Sequence, residues 1–377
     1  MGPDWANLPT EVVGLISERL TLDRDYFLFG MVCKSWHRKT KNNAIRISTM
    51  STRHRAPMLL FSTGNNGVWR LYDVMRDKVL DLQVKLSKKR FCGSSKGWLV
   101  AVEEDFTITL INPVFRVKGR KVKENSIICL PPFNPPSWER VWIGRPNYGV
   151  YKATITADPI LDADNCVVLV IYEDRCQLAF IRLNKDKMWT YIEDLRFVLF
   201  EVVPVRNQFY AIGGDESQLL SFDITTRFSS DIKFITTRRA NECFTTLYLV
   251  SVNEEELLMV VRYIDHDYDR EKRVTEKFEI FKSLGDVALF LGDNSTVAVL
   301  ASDIPGCRSN CIYFTHDHDR QTTIEFGGRG PHDLGVYDLE SRIVDSQRPF
   351  TFSKLAMKMV GNSIRPPIWI VPTFQYL

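Results

Sequence analysis

"FYAIGGDESQLLSFDITTRF", residues 209–228, holds two short apolar runs, at 209–212 and 219–222, with the pair Gly213-Gly214 between them. Runs of that length, rich in aromatic and branched residues and bounded by turn formers, read as strands. Adjacent glycines let a backbone turn tightly where a Cβ would clash. Asp223, directly after the second run, can bond its own backbone and open the next turn. The stretch therefore predicts strand, turn, strand, turn.

The same grammar runs from Pro57 onward. "MLLFS", "VWRLYDV", "GWLVAV", "ITLINPV", "CVVLVIY", "LAFIRL", "FYAIGG", "LLSFDI", "LLMVVRY", "FEIF", "CIYFT", "LGVYDL" and "WIVPTF" are strand candidates bounded by Gly, Pro, Asn and Asp. No long amphipathic helix interrupts them, so the fold class is all-β: a sandwich, a barrel or a propeller. Recurrence favours the β-propeller. A strand closing on Asp or Asn recurs at Tyr72-Asp73, Ile111-Asn112, Leu183-Asn184, Phe222-Asp223 and Tyr337-Asp338, in steps of 39, 72, 39 and 115 residues. At roughly 40–50 residues per blade, the longer steps correspond to about two or three units. Residues 57–377 then hold about six or seven blades, within the usual range of roughly four to eight. Residues 209–228 resemble a kelch-type blade, in degenerate form, since Phe228 stands where a kelch unit places Trp.

Residues 4–40 follow a helical period instead. Pro9 suits a first helical turn, where its missing N–H would find no partner, and Thr10 and Glu11 suit the positive end of the helix dipole. Val12, Leu15, Ile16 and Leu20 fall at i, i+3, i+4 and i+8, one apolar stripe. Thr21 and Asp23 offer caps for a second helix, in which Tyr26, Phe29, Val32, Cys33 and Trp36 recur at helical spacing. Fewer than forty residues cannot bury both stripes internally, so part of this surface expects a partner. Residues 41–56, "KNNAIRISTMSTRHRA", are polar and basic and read as a connector. The expected organisation is a small all-α unit at 4–40, a connector at 41–56 and an all-β domain at 57–377.

Composition sets bounds on function. Apolar residues make up 45% of the 377 and charged residues 25%, an ordinary globular balance. A net charge of +3 does not by itself argue for nucleic acid. No run of eighteen apolar residues is present, so no membrane span is expected. Asp4, Trp5 and Asn7 stand where a secretory signal would carry a basic start and an apolar run. The eight cysteines, 33, 92, 129, 166, 176, 243, 307 and 311, lie mostly inside apolar runs. They read as reduced, buried thiols of a cytoplasmic or nuclear protein.

Several constellations invite chemistry. Cys307, Cys311, His316 and His318 have the residue types of a zinc set. Alternation, however, puts Cys311 on one strand face with Tyr313 while the histidines fall in the following loop, so no metal is expected. "DHDYDRE" (265–271) and "HDHDR" (316–320) lack the spacing of a calcium loop and read as solvated hairpin ends. "RVKGRKVK" (116–123) reads as a hairpin tip kept soluble by charge, with nucleic acid, an acidic substrate or nuclear import as the functional alternatives. "GGRGPHDLG" (327–335) lacks the strand-to-helix setting and the Lys-Ser/Thr of a phosphate loop and reads as a turn between blades. No nucleophile–base pairing is legible from spacing.

Trp5, Leu8-Pro9, the apolar helix and "VCKSW" (32–36) together resemble an F-box, with His37 where many members carry Arg. The resemblance implies binding to the small Skp adaptor and, through it, to the cullin and RING subunits of an SCF ubiquitin ligase. It carries over Leu8, Pro9, Ile16, Val32, Cys33 and Trp36 as positions at or just beneath that interface. The rest is similar to the KIB-type β-propeller domain of a large plant F-box family. The carriers are "GSSKGWLVAV", "ITLINPV", "KATITADP", "LAFIRLNKDKMWTYI", "FYAIGG", residues 283–317, "LGVYDLES" and "PIWIVPTF". Members have a longer stretch with a Trp where Phe281, Lys282 and Ser283 run together here, which implies a missing strand and turn in one blade.

The expected function is that of a non-catalytic substrate receptor, with no cofactor and an unknown target protein. Two alternatives come from other classes. One is a propeller enzyme acting on a carbohydrate or small ester; the other is a non-degradative, diverged adaptor.

Overall fold

The structure, a computed structural model, describes residues 8–19, 29, 32–36, 56–63, 68–73, 77–82, 89–103, 105–116, 118, 124–135, 149–172, 177–192, 199–206, 208–213, 218–224, 233–236, 245–253, 255–267, 272–280, 282–293, 295–315, 317, 334–345 and 366–372. Among them are the helix α1 (Thr10–Glu18) and twenty-four strands gathered into six sheets.

Each sheet is one blade of a six-bladed β-propeller. Blade 1 contains β1 (Met58–Thr63), β2 (Val68–Asp73) and β3 (Lys78–Asp81), and blade 2 contains β4 (Arg90–Ser95), β5 (Trp98–Val102), β6 (Ile108–Ile111) and β7 (Ile127–Cys129). Blade 3 is β8 (Val150–Ile155), β9 (Val167–Tyr172), β10 (Gln177–Arg182) and β11 (Thr190–Ile192). Blade 4 is β12 (Leu199–Val205), β13 (Gln208–Gly213), β14 (Gln218–Phe222) and β15 (Lys233–Thr236). Blade 5 has three strands, β16 (Thr245–Ser251), β17 (Leu257–Asp267) and β18 (Lys272–Glu279). Blade 6 has five: β19 (Val287–Gly292), β20 (Ser295–Leu300), β21 (Cys311–Phe314), β22 (Gly335–Asp338) and β23 (Ile343–Asp345).

The last strand, β24 (Ile368–Ile370), returns to blade 1 and pairs antiparallel with β1, Leu60 opposite Ile368. The first and last strands of the all-β part thus share one sheet and close the ring. The innermost strands β24, β4, β8, β12, β16 and β20 each lie against the next around the axis. Blade 6 departs from a simple meander. β20 doubles back from β19 to take the innermost place, and the chain crosses to β21, which runs parallel to β19.

The middle strands explain why the sequence forms blades. β5 is buried at every position, and β9 and β10 nearly so. A strand covered on both faces has no polar side to show and reads as a continuous apolar run. Its alternate residues serve opposite seams. Trp98, Val100 and Val102 join Val168, Val170 and Tyr172 between blades 2 and 3, while Leu99 and Ala101 join Leu60, Trp69 and Leu71 between blades 1 and 2. Burying each such side chain fully contributes roughly 1.5–3 kcal/mol. Polar ties sit beside these faces. Trp98 Nε1 donates to Asp158 Oδ2 at 3.1 Å across one seam, and Trp369 Nε1 to the Leu291 carbonyl at 3.2 Å across another.

Several expectations change. The 72-residue step from Asn112 to Asn184 contains a single blade boundary, because residues 130–149 intervene between β7 and β8; the 115-residue step spans two blades. The count is therefore six. Asn112 and Asp338 do open turns through their side chains, Asn112 Oδ1 accepting from Val114 N at 3.2 Å and Asp338 Oδ1 from Glu340 N at 2.9 Å. "GGRGPHDLG" lies between β21 and β22 of one blade and not between blades; residues 327–333 themselves fall outside the described set. The shortened stretch at 281–283 coincides with the three-stranded blade 5, whose described strands nonetheless complete the ring.

Candidate functional site

α1 begins where the sequence indicates. Pro9 occupies the cap position at φ −51° and ψ 141°, and its carbonyl accepts the first helical bond from Val13 N at 3.1 Å. The buried stripe is displaced by one residue from the expected one. Val13 is 1% exposed and meets Phe29 and Trp36, with Leu8, Ile16 and Cys33 half-buried around them. The Phe29 and Trp36 rings lie 4.3 Å apart between centroids, tilted by 33°.

Val12 and Leu15 therefore point the other way, at 39% and 60% exposure, and Val32 joins them at 55%. The six residues carried over as an adaptor interface fall into tiers. Pro9 and Val32 are exposed, Leu8, Ile16 and Cys33 are half-buried, and Trp36 is buried beneath them. Val12 and Leu15, absent from that set, are the apolar side chains α1 leaves most open. Their i, i+3 spacing was the available signal, but periodicity alone did not say which side of a wide stripe faces inward. The second helix expected after Asp23, and the connector at 41–56, lie outside the described residues, apart from Phe29, 32–36 and Ala56.

The chemistry this surface offers is apolar contact. Exposed apolar side chains over an already filled interior fit a protein partner.

Among the described residues the other constellations are not brought together into a reaction centre. Cys311 and Tyr313 share one core cluster while Ile312 and Phe314 share another, as alternation required. Burial pushes the Cys307 and Cys311 thiols up to about 11, against the thiolate that zinc needs. His316 and His318 lie outside the described residues, among which no group of metal-ligating side chains occurs. Asp265 and Asp267 close β17, paired with Val274 and Lys272 at the end of the β17–β18 hairpin, where the sequence reading put them; residues 268–271 lie outside the described set. Asp317, by contrast, is not solvated: it is buried in an ion pair with Arg262 at 2.7 Å. Of "RVKGRKVK", Arg116 Nε donates to Ser126 Oγ at 2.6 Å and Lys118 N to the Asp81 carbonyl at 2.7 Å; its remaining residues are not described. Cys129 is exposed, unlike the buried Cys92 and Cys166, whose thiols burial raises to about 12. No helix among the described residues is long and apolar enough to cross a membrane.

Comparison with known families accounts for the ring. The family model for the KIB1-4 β-propeller matches residues 71–338, from β2 to the end of β22. The chain belongs to the KIB1-4 β-propeller family. Relatives of this KIB1-4 protein extend over its N-terminal part as well. F-box protein SKIP23 of Arabidopsis thaliana is 24% identical and covers 97% of this chain and 95% of its own. Putative F-box protein At4g22660, from the same plant, is 21% identical over 99% of this chain and 98% of its own. Among solved structures, the Cps50 (Swd1) β-propeller domain of Myceliophteria thermophila is 11% identical with a TM-score of 0.35, covering 77% of this chain and 85% of that one.

Proposed function

We propose that this KIB1-4 propeller protein is the substrate-recognition subunit of an SCF ubiquitin ligase. Residues 4–40 form the F-box that binds the Skp adaptor, residues 41–56 connect, and residues 57–377 carry the propeller that holds a target protein. The observation that supports this best is the exposed set Val12, Leu15 and Val32 over a helical cluster whose interior Val13, Phe29 and Trp36 already fill. Leu8, Pro9, Ile16, Cys33 and Trp36 complete or underpin that surface. The full-length likeness to proteins named F-box proteins supports the same reading.

The receptor makes and breaks no bond itself. It holds a target lysine close to the charged ubiquitin-conjugating enzyme, which turns a bimolecular encounter into an effectively intramolecular one. Cullin and RING subunits join through the adaptor, in the cytoplasm or nucleus. The test is co-purification of the full chain with the Skp adaptor and cullin, followed by ubiquitin transfer to whatever the propeller retains. A stable complex with transfer that depends on the chain is expected. A folded chain that passes the adaptor by would overturn the reading.

A further inference from the structure

Arg262 lies in β17 with its side chain wholly buried. Its Nη1 donates to Asp317 Oδ2 at 2.7 Å, to the Thr315 carbonyl at 3.0 Å and to the Tyr248 hydroxyl at 3.2 Å. Tyr248, from β16, donates its own hydroxyl to the same Asp317 oxygen. The guanidinium stands over the Phe314 ring at 5.1 Å and near the Phe278 ring at 5.8 Å, and those two rings are 5.2 Å apart. Every strand of blade 5 thus takes part, through Tyr248, Arg262 and Phe278. All of them converge on one short stretch of blade 6, Phe314 to Asp317.

A buried ion is costly unless paired and hydrogen-bonded, so its position calls for a reason. The seams between blades 2 and 3 and between blades 6 and 1 use indole N–H bonds beside wide apolar faces. The seam between blades 5 and 6 carries an apolar face too, Tyr248, Val250, Val260 and Phe278 against Leu289, Leu291, Ile312 and Phe314, and there the described part of blade 5 sets three strands against the five of blade 6. At the inner radius this seam has the tie from Thr296 Oγ1 to the Leu249 carbonyl, 2.9 Å.

We infer that Arg262, Tyr248 and Asp317 form a latch that holds the three-stranded blade 5 against blade 6 and keeps the ring shut at that seam. Releasing the latch frees blade 5 as a unit before the rest of the ring loosens. Folded proteins open locally in contiguous cooperative units of this kind.

Arg262→Met in the full chain tests this by thermal melting and native-state hydrogen exchange. At pH 8 the melting temperature falls by on the order of 5 °C or more, because an anion is left buried without its partner. Amides of β16, β17 and β21 lose protection while those of β9 and β10 keep it.

The deficit also depends on pH. The groups facing the Asp317 carboxyl are Arg262, Asp293, Tyr248 and Lys152, and burial already raises it to about 6. Without Arg262 it rises further. A carboxyl raised in the folded state favours folding below its ordinary range, and that advantage is lost as pH rises through the folded value. The melting deficit of Arg262→Met is therefore largest at pH 8 and shrinks by pH 5. If Arg262→Met does not fold, Tyr248→Phe removes one hydroxyl only and gives a smaller melting shift with the same local loss of protection. Exchange that rises evenly across all six blades, or a deficit unchanged between pH 5 and 8, overturns the latch.

Discussion

An ideal Cβ built on Gly93 would stand 1.9 Å from the Ala153 carbonyl oxygen of the neighbouring inner strand. The obstacle is backbone, which no rotamer change can relieve. Glycine here lets β4 and β8 approach closely around the axis, just after the bulge between Phe91 and Gly93 in β4. Gly93→Ala should destabilise the propeller by about 2–3 kcal/mol or more, as overpacking against rigid neighbours does. A loss of less than about 0.5 kcal/mol in urea unfolding would mean that the two strands part easily. "GSSKGWLVAV" shows this glycine in the sequence, but nothing in the string reveals the carbonyl opposite it. Asp317 makes the same point with a charge. A loop dense in His and Asp reads as solvated, and only the fold brings Arg262 to it from 55 residues away.

At the scale of the element, most strands legible in the sequence were middle ones, although the innermost β24 and the outer β18 were read as well and the middle strand β19 was not. β5, β6, β9, β10, β13, β14, β21 and β22 are apolar at most positions because sheets cover them on both faces. The innermost strands β4, β8, β12, β16 and β20 were not picked out. They mix polar and apolar residues, and β4, β8 and β12 each carry a bulge that breaks the two-residue period. Short outer strands such as β7 and β11 offer too few residues for any period to register. In α1 the apolar face was visible but its orientation was not. Trp36 and Val13 hold the helical cluster from within, so Trp36→Ala should cost about 3–5 kcal/mol and weaken fold and adaptor binding together. Circular dichroism and a pull-down on the same sample check this: retained helicity with lost binding would place Trp36 in the contact itself.

At the scale of the whole molecule, closure decides stability. β24 contributes three residues, yet it completes blade 1 and the inner ring at once. Trp369 concentrates that role. It is 1% exposed, meets the Phe290 ring edge-on at 4.9 Å and bonds the Leu291 carbonyl. Trp369→Ala should cost about 3–5 kcal/mol in a cooperative denaturant transition, and an unchanged transition would mean that closure contributes little. Propeller architecture was legible from the recurrence of strand and Asp or Asn turn. The blade number was not, because two blades of irregular length share the 115-residue step and a long intervening segment stretches the 72-residue one.

The central claim is that a folded KIB1-4 propeller is attached to a ubiquitin ligase through the open face of its N-terminal helical cluster. Calorimetric titration of the full chain with purified Skp adaptor tests it most directly, with Leu15→Asp beside the wild type. Leu15 is exposed, so its replacement should leave circular dichroism and melting unchanged. The account predicts one-to-one binding by the wild type and a loss of about 2 kcal/mol, roughly thirty-fold in Kd, for Leu15→Asp. A folded wild-type chain that releases no heat on titration, or a Leu15→Asp chain that binds as tightly as the wild type, would contradict it.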